Sequence, residues 1–216
     1  VVLTVAQAFA LATPQHGARP FVCVLPETAA IYGVPAGEIS YADAKAQILR
    51  LRSAYAAAGY GHGHRVGLQL ENRPAFFLHW FALNGLGVSV VPINPDLRSA
   101  ELEYLIGHSE IALAIAPQAR QPMLAAAALV AGRQLQLMDV DVQGTVPAAP
   151  FAPPLAQQPI GVLTECALLY TSGTTGRPKG CILPNRYFLH AGAWYAGVGG
   201  LAQLHAGNER MLTPLP

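Results

Sequence analysis

Residues 170–180 read YTSGTTGRPKG, a stretch that carries hydroxyl groups, glycines and two cations but no acid. Gly173 and Gly176 let the backbone fold so that successive N–H groups converge on one anion. Lys179 adds a mobile positive charge and Arg177 a planar fork of donors, and both suit phosphate oxygens. The hydroxyl groups that can donate to the same oxygens belong to Thr171, Ser172, Thr174 and Thr175. Together, these residue types predict a site for a polyphosphate.

The charge around this stretch agrees with an anionic ligand, because no Asp or Glu occurs from Cys166 to Asn208. The Walker A pattern, G-x-x-x-x-G-K-[ST] leading into a helix, does not fit, since Pro178 separates the two cations and a strand is predicted to follow. The dinucleotide fingerprint G-x-G-x-x-G is absent as well. A solvated hairpin loop remains the alternative interpretation of the composition alone.

Apolar segments on both sides must position this loop. CALLY at 166–170 and GCILP at 180–184 are predicted strands. A helix is predicted over 186–197, with Asn185 as its N-cap residue. We expect Gly180 only to let the loop turn back into the second strand.

Strands and helices also alternate upstream of the loop. A helix begins after Ser40, which is predicted to cap it, and ends near Gly59. Apolar strands are predicted at 65–70, 88–94, 111–116 and 134–140, and helices at 74–87, 99–108 and 121–132. Strict alternation with strands that are apolar throughout predicts an α/β fold whose parallel sheet is covered by helices on both faces.

Residues 144–160 interrupt this pattern, since they contain five prolines and no charged residue. We interpret them as a connector that is neither helical nor a central strand. The predicted organisation is therefore an α/β subdomain over 1–143, the connector, and the beginning of a second α/β subdomain and second sheet over 161–216.

The composition argues against some classes of binding partner and in favour of others. A net charge of +1 gives no overall attraction to nucleic acid, and no apolar run is long enough to span a bilayer. The first twelve residues lack the basic start and cleavage site of a signal peptide. Only 12% of the residues are charged, which predicts that further protein covers part of the apolar surface. The three widely spaced cysteines indicate reduced thiols in a cytoplasmic protein.

Other residues that could do chemistry have plainer interpretations. His62 and His64 lie two residues apart, but without a third ligand nearby a polar turn after a helix is favoured over a metal site. His79 lies in an apolar helix, where packing is the usual role. Cys166 and Cys181 flank the loop and are expected to be small buried residues and not reactive thiols.

The string LLYTSGTTGRPKG at 168–180 resembles the phosphate-loop signature of the adenylate-forming enzymes, which include acyl-CoA synthetases, nonribosomal adenylation domains and firefly-type luciferases. Residues 40–116 are similar to the family's early helix and to the strand, helix, strand and P-x-N-P turn that precede the signature. The form NPDLRSAELEYLI looks more like acyl-CoA ligases than like peptide-synthetase domains. The chain departs from the family at Pro184, Asn185 and Arg186, where members often carry Ser or Thr and then His.

The resemblance implies an ATP-dependent ligase in which a carboxylate attacks the α-phosphate, pyrophosphate leaves, and CoA then displaces AMP. It implies a pyrophosphate site made by Thr171, Ser172, Gly173, Thr174, Thr175, Gly176 and Lys179, with Arg177 at a more variable position. It also implies an Mg²⁺ ion that is held mainly by residues beyond this chain. We expect this chain to be the N-terminal portion of such a ligase and to be inactive alone. The alternatives are a non-enzymatic module that binds nucleotide, polyphosphate or a partner, and an amino-acid-activating domain.

Overall fold

The computed structural model describes residues 2–142, 145–171, 177–207 and 209–212. The helices are α1 (Val5–His16), α2 (Pro26–Tyr32), α3 (Tyr41–Ala57), α4 (Pro74–Asn84), α5 (Ser99–Ser109), α6 (Gln121–Val130) and α7 (Asn185–Gly197), with 3₁₀ turns at Gln118–Arg120 and Gly200–Ala202. The strands are β1 (Pro20–Val24), β2 (Gly37–Ser40), β3 (Arg65–Leu68), β4 (Ser89–Pro92), β5 (Leu113–Ala116), β6 (Gln136–Asp139), β7 (Glu165–Thr171) and β8 (Lys179–Pro184).

Six of the strands form one sheet in the order β6-β5-β3-β4-β7-β8. Strands β6, β5, β3, β4 and β7 run parallel, which confirms the predicted α/β fold. One detail was wrong: β7 pairs with β4, so β7 and β8 extend the six-stranded sheet and do not begin a second one. Strand β8 runs antiparallel to β7, as expected for two strands joined by a hairpin loop. The division into subdomains at residues 144–160 stays a prediction.

Helices cover both faces of this sheet, as predicted, because alternate residues of each strand point to opposite sides. In β5, Leu113 and Ile115 join the core under α1, α3 and α4, whereas Ala114 and Ala116 join the core under α5 and α6. Gly67 of β3 faces the core under α5 and α6. A Cβ on this residue would come within 2.8 Å of Ile93 Cδ1 and 2.9 Å of Ile111 Cδ1.

The start of α3 agrees with its predicted cap. The Ser40 hydroxyl accepts a hydrogen bond from the Asp43 backbone N–H at 3.1 Å, and the helix ends just before Gly59, which has a φ of 93°. The sequence did not predict helix α1 or the antiparallel pair of β1 and β2. Phe9 of α1 fixes these parts to the core, since its ring stacks on Phe81 of α4 at 4.7 Å and meets Phe21 of β1 at 4.9 Å.

Asn185 does not cap α7, and this prediction was wrong. Pro184 occupies the N-cap position without a side-chain bond, while the buried Asn185 side chain turns toward α1. Its Oδ1 accepts hydrogen bonds from Val5 N at 3.1 Å and Asn84 Nδ2 at 2.9 Å. The Oδ1 of Asn84 accepts from Ala6 N at 2.9 Å. Two asparagines from distant segments thus satisfy free N–H groups at the start of α1.

The proline-rich segment lies against the turn GYGHGH at 59–64. Ala156 N donates to His62 O at 2.9 Å, and Ala149 N donates to Ala58 O at 2.9 Å. His64 Nε2 lies 2.6 Å from the carbonyl oxygen of Pro153, and His62 Nδ1 lies 2.9 Å from that of Gln158. Both histidines therefore hold the connector, in agreement with the interpretation of a polar turn.

The surface formed by β8 and α7, at the β8 edge of the sheet, is apolar. Ile182 of β8 and Trp194 of α7 are 58% and 56% exposed, and a groove runs between these two elements. The expectation that further protein covers the apolar surface stays a prediction. No helix in the described part of the chain is both long and apolar enough to cross a membrane.

Candidate phosphate-binding site

The β7–β8 hairpin carries the candidate loop and brings its two ends together. Thr171 is the last residue of β7, Lys179 is the first residue of β8, and the two are paired across the ladder. Directly opposed residues of an antiparallel pair have Cα atoms about 5 Å apart. Both side chains are exposed. Ser172, Gly173, Thr174, Thr175 and Gly176 lie outside the described residues, and their roles stay predictions.

An ion pair fixes the base of the hairpin. Arg65 of β3 binds Glu165 of β7 through two parallel hydrogen bonds, Nε to Oε1 at 2.8 Å and a terminal nitrogen to Oε2 at 2.9 Å. The hydrogen bonds that Arg65 donates to the Glu165 carboxylate raise the pKa of Arg65 above its ordinary value. Arg65 also donates to Ser109 O at 3.1 Å, so the same side chain joins the hairpin to the end of α5.

Helix α5 contacts the hairpin again next to the loop. The Tyr170 hydroxyl lies 2.7 Å from Nδ1 of His108, and burial raises the pKa of Tyr170 to about 12, so the phenol stays protonated near neutral pH. The His108 ring stacks on Tyr104 with centroids 5.4 Å apart. On the far side of the loop, the Arg177 guanidinium carbon lies 5.6 Å from the centre of the Tyr104 ring. The residues at both ends of the loop therefore contact one helix.

The sequence did not predict the roles of Tyr104, His108 and Tyr170. Tyr104 and His108 are four residues apart, a spacing that places two side chains on one face of a helix. That spacing was the available signal, but it does not tell which strand the face meets. Arg177, given less weight than Lys179 as a phosphate ligand, has an observed role in contacting α5.

Gly180 has a different role from the one expected. It lies within β8, opposite Tyr170, and is not among the described glycines with positive φ. A Cβ at this position would come within 3.0 Å of Leu168 Cδ1 and 3.4 Å of the Tyr170 ring. The glycine is therefore required by close packing beneath the tyrosine that binds His108, and not by a turn.

The two cysteines beside the loop have different environments. Cys166 is buried, as expected, and burial raises the pKa of its thiol to about 11. Asn84 Nδ2 donates to its sulfur at 3.3 Å. Cys181 is exposed, so the prediction that it is buried was wrong. The reason is that β8 is an edge strand, only partly covered by α7.

No group of three or more His, Cys, Asp or Glu side chains that could hold a metal ion occurs in the described part of the chain. The acid-free segment around the loop contributes no carboxylate either. The site therefore offers donors and positive charge, which suit phosphate oxygens, and no described metal ligands.

A family model described as "AMP-binding enzyme" matches residues 22–216. This chain belongs to the AMP-binding enzyme family. The match includes the whole six-stranded sheet and the hairpin with the candidate loop. It confirms the family resemblance that the signature at 168–180 indicated.

Curated relatives of this chain include CoA ligases and synthases. A feruloyl-CoA synthase from Amycolatopsis sp is 34% identical over 180 residues, which are 82% of this chain and 34% of that protein. A crotonobetaine/carnitine–CoA ligase from Salmonella arizonae is 32% identical over 192 residues, with 79% of this chain and 35% of that protein covered. The chain spans about a third of the length of these relatives.

Solved structures share the fold of this chain. Apo MatB from Rhodopseudomonas palustris matches with a TM-score of 0.65 at 26% identity, over 88% of this chain and 37% of that one. VinN matches with a TM-score of 0.70 over 92% of this chain and 48% of that one, at 17% identity, which bears on the fold alone.

Proposed function

We propose that this chain is the phosphate-binding portion of an ATP-dependent acyl-CoA ligase. Such an enzyme joins a carboxylate to the α-phosphate of ATP, releases pyrophosphate, and then transfers the acyl group from AMP to the sulfur of CoA. The observation that carries the proposal is the pairing of Thr171 with Lys179 at the loop end of a hairpin whose loop contains Ser, Thr and Gly but no acid.

The chemistry of the first step fits these residues. Negative charge builds on pyrophosphate as it leaves, so donors fixed in advance around the β- and γ-phosphates lower the barrier. We assign the Lys179 ammonium to those phosphates, together with the Thr171 hydroxyl. The hydroxyl and backbone N–H groups of residues 172–176 complete the proposed site.

The relatives support this assignment. ATP-bound MatB from Rhodopseudomonas palustris matches this chain with a TM-score of 0.64 at 26% identity, over 88% of this chain and 37% of that one. The relatives named above are CoA synthases and ligases, which supports a carboxylic acid and CoA as the other substrates. We assign no Mg²⁺ ligand to the described residues, since no carboxylate lies in the segment around the loop.

Binding of a nucleotide series tests the phosphate site. Isothermal titration of the chain with ATP, pyrophosphate and AMP should show that pyrophosphate competes with ATP and that AMP binds at least tenfold more weakly than ATP. Binding of AMP as tight as that of ATP, with no competition from pyrophosphate, would contradict the assignment.

Pyrophosphate release tests the enzymatic part of the proposal. The chain, given ATP, Mg²⁺ and ferulate, crotonobetaine or carnitine, should bind ATP but release no pyrophosphate above background, because we propose that the acyl and adenine contacts lie in another part of the ligase. Robust turnover by this chain would overturn the view that it is inactive alone. In a longer protein containing this chain, ATP binding without pyrophosphate release for any carboxylic acid would instead favour the binding-module alternative.

A further inference from the structure

A cavity of about 550 Å³ lies on the α3–α4 side of the sheet, away from the hairpin loop. Its apolar wall includes Ile39 of β2, Leu51 and Ala54 of α3, Leu78 of α4, and Val140 after β6. Small-molecule sites in proteins are typically cavities of 300–1,000 Å³ with mainly apolar walls and a few fixed polar groups. The cavity therefore has the size and lining of a ligand site.

His79 supplies a buried polar group in the wall. The side chain is 4% exposed, and its Nδ1 lies 2.7 Å from the Tyr55 hydroxyl. Burial lowers the pKa of His79 to about 4, so the imidazole is neutral near pH 7. The other possible acceptor for the Tyr55 hydroxyl is the Met138 sulfur at 4.0 Å, which is weaker. We therefore assign the Tyr55 proton to Nδ1 and the imidazole N–H to Nε2.

Within the described residues, the hydrogen bond of the His79 ring is that between Nδ1 and the Tyr55 hydroxyl. In this tautomer, Nε2 is the ring nitrogen that can donate to an acceptor on a ligand in the cavity.

Charges around the cavity balance one another. Arg73, which is 5% exposed, donates to Asp141 at 3.1 Å and to Tyr32 O at 3.2 Å. Arg50 and Glu38, of opposite sign, both line the cavity. These opposite charges favour neither a cationic nor an anionic ligand. An uncharged ligand is therefore not at a disadvantage in this cavity.

The cavity is separate from the candidate phosphate site. Met138 of β6 lies in its wall, and β6 is at the opposite edge of the sheet from the hairpin, with three strands between β6 and β7. Neighbouring strands are about 4.8 Å apart, which places β6 about 19 Å from β7. We propose that the cavity is a second binding site, which takes an uncharged, mainly apolar small molecule carrying one hydrogen-bond acceptor.

Two probes of similar shape test the proposal by NMR titration of the full chain. Acetophenone has an apolar ring and a carbonyl acceptor, whereas ethylbenzene lacks the acceptor. We expect acetophenone to shift signals of residues that line the cavity and to bind more tightly than ethylbenzene, with saturating ATP leaving both affinities unchanged. Absence of cavity shifts with both probes up to their solubility would overturn the proposal.

Variants of helix α3 locate the binding. Ala54→Trp fills the cavity and should weaken acetophenone binding at least tenfold, while Ala56→Trp, on the exposed opposite side of the helix, should leave it unchanged. His79→Phe should remove the preference for acetophenone over ethylbenzene. Equal binding by the two tryptophan variants, or an undiminished preference in a folded His79→Phe protein, would contradict the proposed site.

Discussion

The hydroxyl oxygen of Tyr170 lies 2.7 Å from Nδ1 of His108, so the residue directly before Thr171 is hydrogen-bonded to helix α5. His108 stacks in turn on Tyr104, and Arg177 lies over the ring of Tyr104. Holding the residues that border a binding segment in place before the ligand arrives reduces the conformational entropy that binding must offset.

Removing the Tyr170–His108 bond should therefore weaken ATP binding. Loss of one hydrogen bond costs about 0.5–1.5 kcal/mol, so Tyr170→Phe and His108→Ala should each raise the Kd for ATP about two- to tenfold. Tyr187→Phe, at an exposed tyrosine of α7, is the matched control and should have no effect. Titration calorimetry of the two single variants and the double variant measures the coupling. If the residues act through this bond, the double variant loses no more affinity than one single variant; additive losses would contradict the account.

The Asn84–Asn185 pair should be a large contributor to stability. Asn185→Ala leaves Val5 N without its acceptor. It also removes one of two hydrogen bonds accepted by Gly161 O and by Thr164 O, which keep their backbone bonds from Thr164 N and Asn185 N at 3.0 Å. We expect the free energy of unfolding to fall by about 1–3 kcal/mol, measured by urea denaturation. Asn94→Ala, at an exposed site, should cost under about 1 kcal/mol; similar losses for both variants would show that the buried network adds nothing.

Two glycine-to-alanine substitutions should change stability in opposite directions. Gly67→Ala would bring a Cβ within 2.8 Å of Ile93 and 2.9 Å of Ile111, both buried, and should destabilise the protein by about 1–3 kcal/mol. Gly192→Ala lies within α7 with no atom within 4 Å of the added carbon, and should stabilise by about 0.5–1 kcal/mol. Thermal unfolding of both variants measures the difference, and the same sign for both would count against the packing described around β3.

His79 should make stability depend on pH below neutrality. Its pKa is about 4 in the folded protein, against 6.5 for the ordinary group, so the unfolded chain takes up the proton first as the pH falls. The contribution of neutral His79 is present above pH 6.5 and is lost between pH 6.5 and 4. The total is on the order of 3 kcal/mol. Urea denaturation at pH 7 and pH 5 measures the loss, which His79→Phe should reduce; equal pH dependence in both proteins would refute the assignment.

The pattern of the sequence was sufficient for the sheet and most of its helices. Apolar runs such as 111–116 match buried parallel strands, and the Ser40 cap was visible from its residue type and position. Helix α1 was missed because its contacts, such as that of Phe9 with Phe81, come from residues far apart in the chain. The exposure of Cys181 depends on what lies beside an edge strand, which local sequence does not specify.

The candidate site was also predicted only in part from the sequence. Residue types alone predicted a polyphosphate loop, and the pairing of Thr171 with Lys179 follows from two strands joined by a short loop. Three other features arise only when distant segments meet: the support from His108, the redirection of Asn185 toward α1, and the packing of Gly180 under Tyr170. Each is a contact between segments rather than a property of the residue itself.

The most direct test of the phosphate site is the affinity of Lys179→Ala for ATP, compared with the unaltered chain and with Lys45→Ala. Lys45, on α3, is the only other lysine in the sequence. A hydrogen bond to a charged group contributes about 1.5–3 kcal/mol, so Lys179→Ala should bind ATP more than tenfold more weakly while its affinity for AMP stays the same. Lys45→Ala should match the unaltered chain. Equal ATP affinity in all three proteins would contradict the claim that this hairpin holds the phosphates of ATP.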